Sequence, residues 1–141
     1  MKKAQIIIND RENKIKGSMV VMKYSDFLIK GEKTELLVAF LYILPNSRNF
    51  VYESVAKELK SLICKDIKYV IMGDFNRNPN QLKCFQSILK LQNKHQKIKQ
   101  PTHDQNGVID LIYSNIECAT YGVLNSLTKS DHRPIFMSVP K

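Results

Sequence analysis

Residues 69–79, YVIMGDFNRNP, run four apolar side chains, Tyr69 to Met72, into Gly73 and then set Asp74 and Asn76 on either side of Phe75. A carboxylate at the mouth of a buried strand can take a proton from water or hold a cation. A carboxamide two residues on can orient what the carboxylate acts on. Two further sites break the apolar pattern. Asp110 interrupts VIDLIY, residues 108–113, and Ser130-Asp131-His132 stands just before PIFMSV, residues 134–139. A carboxylate inside an apolar strand needs a partner. His132, also at a strand boundary, is the natural one, because a carboxylate fixes both the orientation and the charge of an imidazole. Each piece alone has an ordinary explanation. Gly-Asp-Phe-Asn is a common turn, SDH suits a cap or loop, Asp110 suits an edge strand facing water, and Tyr42 suits a core tyrosine with a satisfied hydroxyl. His95 and His103 read as loop residues. Chemistry is favoured by the conjunction: all these polar groups stand in strands or at strand ends, in an order that lets them converge.

The elements that must position them follow from periodicity and punctuation. Residues 4–8 and 18–23 read as strands around a polar turn at Asn9 to Asn13. Residues 26–30 and 35–44 read as a hairpin across Lys30-Gly31-Glu32-Lys33. The second of these is apolar almost throughout, which predicts a central strand covered on both faces. Val51, Val55, Leu59, Leu62 and Ile63 recur at helical spacing over 50–63, with Ser47 or Asn49 as cap. A strand at 68–72 precedes the Asp74 turn. Leu82, Phe85, Ile88 and Leu89 predict a second helix over 81–92 capped by Asn80. A polar loop, 93–107, leads to strand 108–113, and further strands are expected at 119–124 and 134–139. The alternation predicts a mixed sheet with helices packed on one side.

Composition narrows the class. The 141 residues suffice for one domain with a core, and 43% hydrophobic with 25% charged residues is ordinary for a globular chain. The longest apolar run, Leu36 to Leu44, is too short to span a bilayer. Asn9-Asp10-Arg11-Glu12 interrupts the apolar start too early for a signal peptide. Cys64, Cys84 and Cys118 are odd in number and lack CxxC spacing, which argues against a disulfide framework or a zinc site and favours a reducing compartment, nucleus or cytoplasm. The net charge of +9 suits a polyanionic partner, most simply nucleic acid, or equally a lysine-rich solubilising surface. The densest basic stretch, Lys94 to Lys99, has no interleaved aromatic residue and offers phosphate contacts rather than base stacking.

Taken together, IMGDFNRNP, PTH…GVIDLIYSN and SDHRPIFMSV resemble, in order and spacing, the later motifs of the endonuclease/exonuclease/phosphatase superfamily, the DNase I-like fold. YILPN at 42–46 resembles that superfamily's tyrosine-proline segment, with one residue more between tyrosine and proline than its commonest pattern. PTH ahead of IDLIYSN resembles the endonuclease domains of non-LTR retrotransposons. The resemblance implies an α+β fold, a DNase I-like α/β sandwich of mixed, largely antiparallel sheets flanked by helices. Family domains open with a strand carrying an asparagine and a strand ending in a metal-binding glutamate. Neither is found upstream of Tyr42. AQIIIND resembles the strand that follows the glutamate, and Asp10 and Glu12 lie in a turn of the wrong context. Residues 1–141 are therefore expected to form a single partial domain, the C-terminal portion lacking the N-terminal strands.

The resemblance further implies phosphodiester hydrolysis by in-line attack of water with Mg²⁺ or Mn²⁺. By that resemblance Asp74 orients and deprotonates the water, and Asn76 bonds to the phosphate or the water. His132, oriented by Asp110, contacts a phosphate oxygen, Tyr42 and Asn46 bond to phosphate, and Asp131 binds metal. The implied partner is DNA, with the remainder of a retroelement polyprotein carrying a reverse transcriptase, and no membrane. Without the glutamate, a loss of ~4 kcal/mol of transition-state stabilisation would slow the reaction about a thousandfold. The alternatives are a nucleic-acid-binding remnant that does not cut, or a phosphatase of the same superfamily.

Overall fold

The strand run that ends at Asp74 is the fourth of five in one sheet. The computed structural model describes residues 1–126 and 129–141. Along the chain come β1 (Lys2–Asn9), β2 (Ile15–Ile29), β3 (Glu32–Ile43), α1 (Asn49–Leu62), β4 (Lys68–Asp74), α2 (Lys83–Ile88), β5 (Asp110–Ser114), β6 (Thr120–Val123) and β7 (Ile135–Ser138). Single 3₁₀ turns lie at Pro79–Gln81 and Asn93–His95. The main sheet has the order β1-β2-β3-β4-β5, and β6 pairs with β7 in a second, two-stranded sheet. Among the described residues only β3 and β4 run parallel, and α1 makes the crossover that a parallel pair requires.

Strand alternation sorts the side chains onto two faces. Leu37, Ala39, Leu41 and Ile43 of β3, Ile71 of β4, and Leu111 and Tyr113 of β5 meet Val51, Tyr52, Val55 and Leu59 of α1 and Phe85 of α2. On the opposite face Leu36, Val70 and Ile112 join Ile98 and Ile116, with Tyr121, Val123, Ile135 and Met137 of the small sheet packed against them. Each fully buried aliphatic side chain contributes about 1.5–3 kcal/mol, so both layers hold the sheet. Because the pleat has period two, Tyr42, Asp74 and Asp110 stand on the small-sheet face, at the same end of their strands.

Several expected boundaries differ. The strands expected at 18–23 and 26–30 are one strand, β2, whose register against β3 shifts between Tyr24 and Phe27. The irregularity absorbs the polar pair Ser25-Asp26 without ending the pairing. The second helix stops at Ile88 rather than Gln92, because Lys90 takes a left-handed φ of 54°. Its apolar spacing continues past that point, but the backbone does not. Asn80 is not its cap. The preceding turn is closed at Asn78, whose backbone N–H donates to Gln81 Oε1 at 3.0 Å. Neither Ser47 nor Asn49 caps α1. The residue before the helix is Arg48, Ser47 Oγ donates to the Leu44 carbonyl, and Asn49 Oδ1 accepts from Arg77. Leu62 is exposed, not on the buried face.

Candidate active site

Asp74 reaches the sheet edge because two features pin its turn. Phe75, fully buried, packs edge-on against Phe85 and Tyr113, and its carbonyl accepts from the Tyr52 hydroxyl. Asn76 adopts φ 49° and donates its side-chain amide to the Ile43 carbonyl at 2.6 Å, which ties the turn to the end of β3. The Asn76 backbone N–H donates to Asp74 Oδ1 at 2.9 Å. Register then places Asp74 between Tyr42 on β3 and Asp110 on β5.

The expected partner of Asp110 is found. His132 Nδ1 lies 2.9 Å from Asp110 Oδ2, and His132 Nε2 lies 3.8 Å from Asp74 Oδ2. The second distance is too long for a hydrogen bond, so both groups keep capacity for a third partner. These side chains, with Leu124, Asn125 and Arg133, line an open cleft of about 910 Å³. Burial pushes the Asp74 carboxyl above the usual range, and the Asp110 charge adds to this. The Asn76 N–H and the two nearby histidines oppose it. For His132, burial disfavours the cation, but the Asp110 hydrogen bond and the charges of Asp110, Asp74 and Asp131 outweigh it and raise the imidazole above its ordinary value.

Tyr42 is 45% exposed and beside Asp74 in register rather than in the core. Asn46 is exposed in a turn at φ 60°, and neither it nor Tyr42, Asn76 or Asp131 is among the residues lining the cleft. Asp131 lies one residue from His132 with a side chain 63% exposed, and its Oδ2 meets His103 Nε2 at 2.9 Å. His103 and Thr102, expected in a polar loop, are buried beside the site. They belong to the PTH of the motif resemblance, and the contacts that give them a role are tertiary. Thr102 Oγ1 accepts from the N–H groups of Ile109 and Asp110, and His103 stacks edge-on against His132 with centroids 4.8 Å apart.

Two sets of side chains among the described residues could hold a cation: Asp74, Asp110 and His132, and His103, Asp131 and His132, the ligand atoms of each lying within 4.8 Å of one another. A hard divalent cation takes one or two carboxylates plus phosphate and water oxygens. The first set offers two carboxylates and the second one, which fits that demand. Asp10 and Glu12 do not add to it. Asp10 accepts from the N–H groups of Glu12 and Lys14, and both carboxylates pair with Arg48. The basic stretch 94–99 is also partly absorbed in structure: Lys97 is largely buried against Tyr121 and paired with Glu117, and Gln96 is buried. The three cysteines are free, and among the described residues no helix is long and apolar enough to cross a membrane.

No protein-family model matches the chain, and no curated protein matches it in sequence. Solved structures do match. An endonuclease/exonuclease/phosphatase family protein from Bacteroides thetaiotaomicron superposes with a TM-score of 0.64 at 16% identity, over 96% of this chain and 63% of its own. One from Leptotrichia buccalis gives 0.58 at 14%, over 99% and 61%. Staphylococcus aureus beta toxin gives 0.63 at 16%, over 91% and 59%. The chain thus spans about three fifths of the length of these structures. In architecture it has the mixed-sheet α+β fold of endonuclease/exonuclease/phosphatase family proteins, the DNase I-like fold.

Proposed function

We propose that the chain is a phosphodiesterase site of the endonuclease type, acting on DNA with a divalent cation. The observation that carries this reading is the convergence of Asp74, Asp110 and His132 in one open cleft, with His132 Nδ1 bound to Asp110 and Nε2 turned toward Asp74. Asp110 holds His132 with Nδ1–H donating, and the raised basicity favours a second proton on Nε2. That N–H offers positive charge to a phosphate oxygen, where charge grows in the transition state. Asp74, a carboxylate made more basic by burial, accepts a proton from the attacking water. Asn76 spends its amide on Ile43 and orients Asp74 through its backbone N–H. Its side-chain oxygen is the atom left for water. Asp131, beside His132, would hold Mg²⁺ or Mn²⁺. When bound, the cation supplies charge stabilisation for the phosphoryl oxygens. Tyr42, exposed beside Asp74, is a phosphate contact, and Asn46 a more distant one.

The net charge of +9 and the retroelement-like motifs support DNA over a small phosphoester, and a reverse transcriptase polyprotein as the wider context. We read the chain as the later portion of the fold from the order of its motifs alone. The capture of Asp10 and Glu12 by Arg48 favours a second reading, a DNA-binding protein with little cleavage, because it leaves the cation fewer carboxylates. Nicking of a supercoiled plasmid separates the two. Nicking in Mg²⁺ or Mn²⁺ that stops in EDTA supports the enzyme, and tight binding with intact plasmid supports the binder.

A further inference from the structure

Residues 101–107 have no role in the chemistry above, yet they clip together the two segments that carry it. The Arg133 N–H donates to the Thr102 carbonyl at 2.7 Å, and the Asp104 N–H donates to the Asp131 carbonyl at 3.1 Å. Thr102 Oγ1 holds the start of β5 at Asp110. Within this clip lies the buried ring of His103. Its Nδ1 accepts from the backbone N–H groups of Gln105 at 3.1 Å and Asn106 at 3.0 Å. A ring nitrogen that accepts carries no proton, so the ring proton is on Nε2. Nε2 faces Asp131 Oδ2 at 2.9 Å and therefore donates to it.

We propose that His103 is a positioning residue, fixed as the Nε2–H tautomer, that holds the exposed Asp131 carboxylate and packs edge-on against the His132 ring. A carboxylate 63% exposed would otherwise sample several rotamers in water. One hydrogen bond from a buried, doubly anchored imidazole selects one of them. Hydrogen bonds to a ligating carboxylate orient it for its cation, and their removal typically weakens binding about 10–100-fold. The proposal rests on the phosphodiesterase reading for its purpose, but its geometry is tested independently.

Long-range proton–nitrogen correlation of the histidine rings in the full chain reports the tautomer. The expected result is Nε2–H at His103, with exchange that is slow in the wild type and fast in Asp131→Ala. Two variants then separate positioning from folding. His103→Asn keeps an acceptor for the Gln105 and Asn106 N–H groups but removes the donor to Asp131. It should keep its Tm while losing about 10–100-fold in Mn²⁺ affinity, followed by paramagnetic broadening at Asp131 and His132. His103→Gln carries an amide donor toward Asp131 but lacks the acceptor. It should lower Tm while retaining most of the Mn²⁺ affinity. An Nδ1–H tautomer, Mn²⁺ that broadens neither residue in the wild type, or equal affinities in wild type and His103→Asn would overturn the proposal. The expected pattern in a chain that cuts no DNA would uphold the positioning role and remove the phosphodiesterase reading instead.

Discussion

In Gly73→Ala the added methyl group has no room. Gly73 sits at φ 147°, and a Cβ built there meets the Leu41 carbonyl oxygen at 1.8 Å, the Leu41 carbonyl carbon at 2.8 Å and its nitrogen at 2.9 Å. Against a floor of 3.0 Å for real Cβ contacts, the shortfall is 1.2 Å, and all three atoms are backbone. The relief must come from parting β3 and β4 where Leu41 pairs with Gly73, next to the Tyr42–Asp74 pair. A residue with a side chain held in this region costs about 1–3 kcal/mol, and each ladder hydrogen bond lost adds about 1 kcal/mol. Together these predict a loss of about 3–5 kcal/mol, a large share of the roughly 5–15 kcal/mol that stabilises a domain. At a urea slope of about 2 kcal/mol per molar the unfolding midpoint should fall by about 2 M. Asp74 should also leave its register with Asp110, so His132 resonances should move even below the transition. An unchanged midpoint with unchanged His132 resonances would refute the role of Gly73 in seating Asp74.

Asp110→Asn removes the charge that most favours the His132 cation, so the His132 pKa should drop, measured by NMR titration of its ring protons. The raised pKa gives stability fully present below the unfolded value of about 6.5 and lost as pH rises through the folded value. Asp110→Asn should flatten that part of the stability profile. The raised Asp74 pKa means its charge destabilises the fold once pH passes the folded value, so Asp74→Asn should increase Tm at neutral pH while slowing cleavage about a hundredfold or more. Calorimetry beside a cleavage assay checks both. DNA affinity should fall steeply between low and physiological salt, with little preference among unrelated duplexes, as the +9 charge and the lack of base-reading motifs require. Ile7 of the edge strand β1 and Phe40 of β3 are exposed on the small-sheet face. The chain should therefore self-associate with rising concentration on size exclusion, and Phe40→Glu should reduce this.

Asp74, Asp110 and His132 were legible in sequence because each breaks a local pattern that physics makes strict: apolar strands do not carry unpaired polar groups. Their convergence was inferable because strand ends on one edge of a sheet meet. His103 and Thr102 broke no local pattern and entered only through the PTH of the motif resemblance. They lie in a polar loop with no period, and their role comes only from the return of residues 131–133 beside them. The same limit explains β2, where Ser25-Asp26 looks like a turn until pairing with β3 carries the strand through. It also explains α2, whose apolar spacing outlasts its helical backbone at Lys90. The caps of α1 were misplaced because Asn49 and Ser47 serve Arg77 and Leu44 instead.

That Asp74 and His132 act together on one phosphodiester is tested most directly by the Mg²⁺-dependent cleavage rate of a DNA duplex. The rate is compared among the wild-type chain, Asp74→Asn, His132→Gln and the double variant. A slow wild-type rate is predicted, with each single change lowering it about a hundredfold or more. The double variant should be little slower than the worse single one, because the two residues serve one step. A rate in Asp74→Asn close to the wild-type rate, losses that multiply in the double variant, or no cleavage by the wild-type chain at any Mg²⁺ concentration would contradict it.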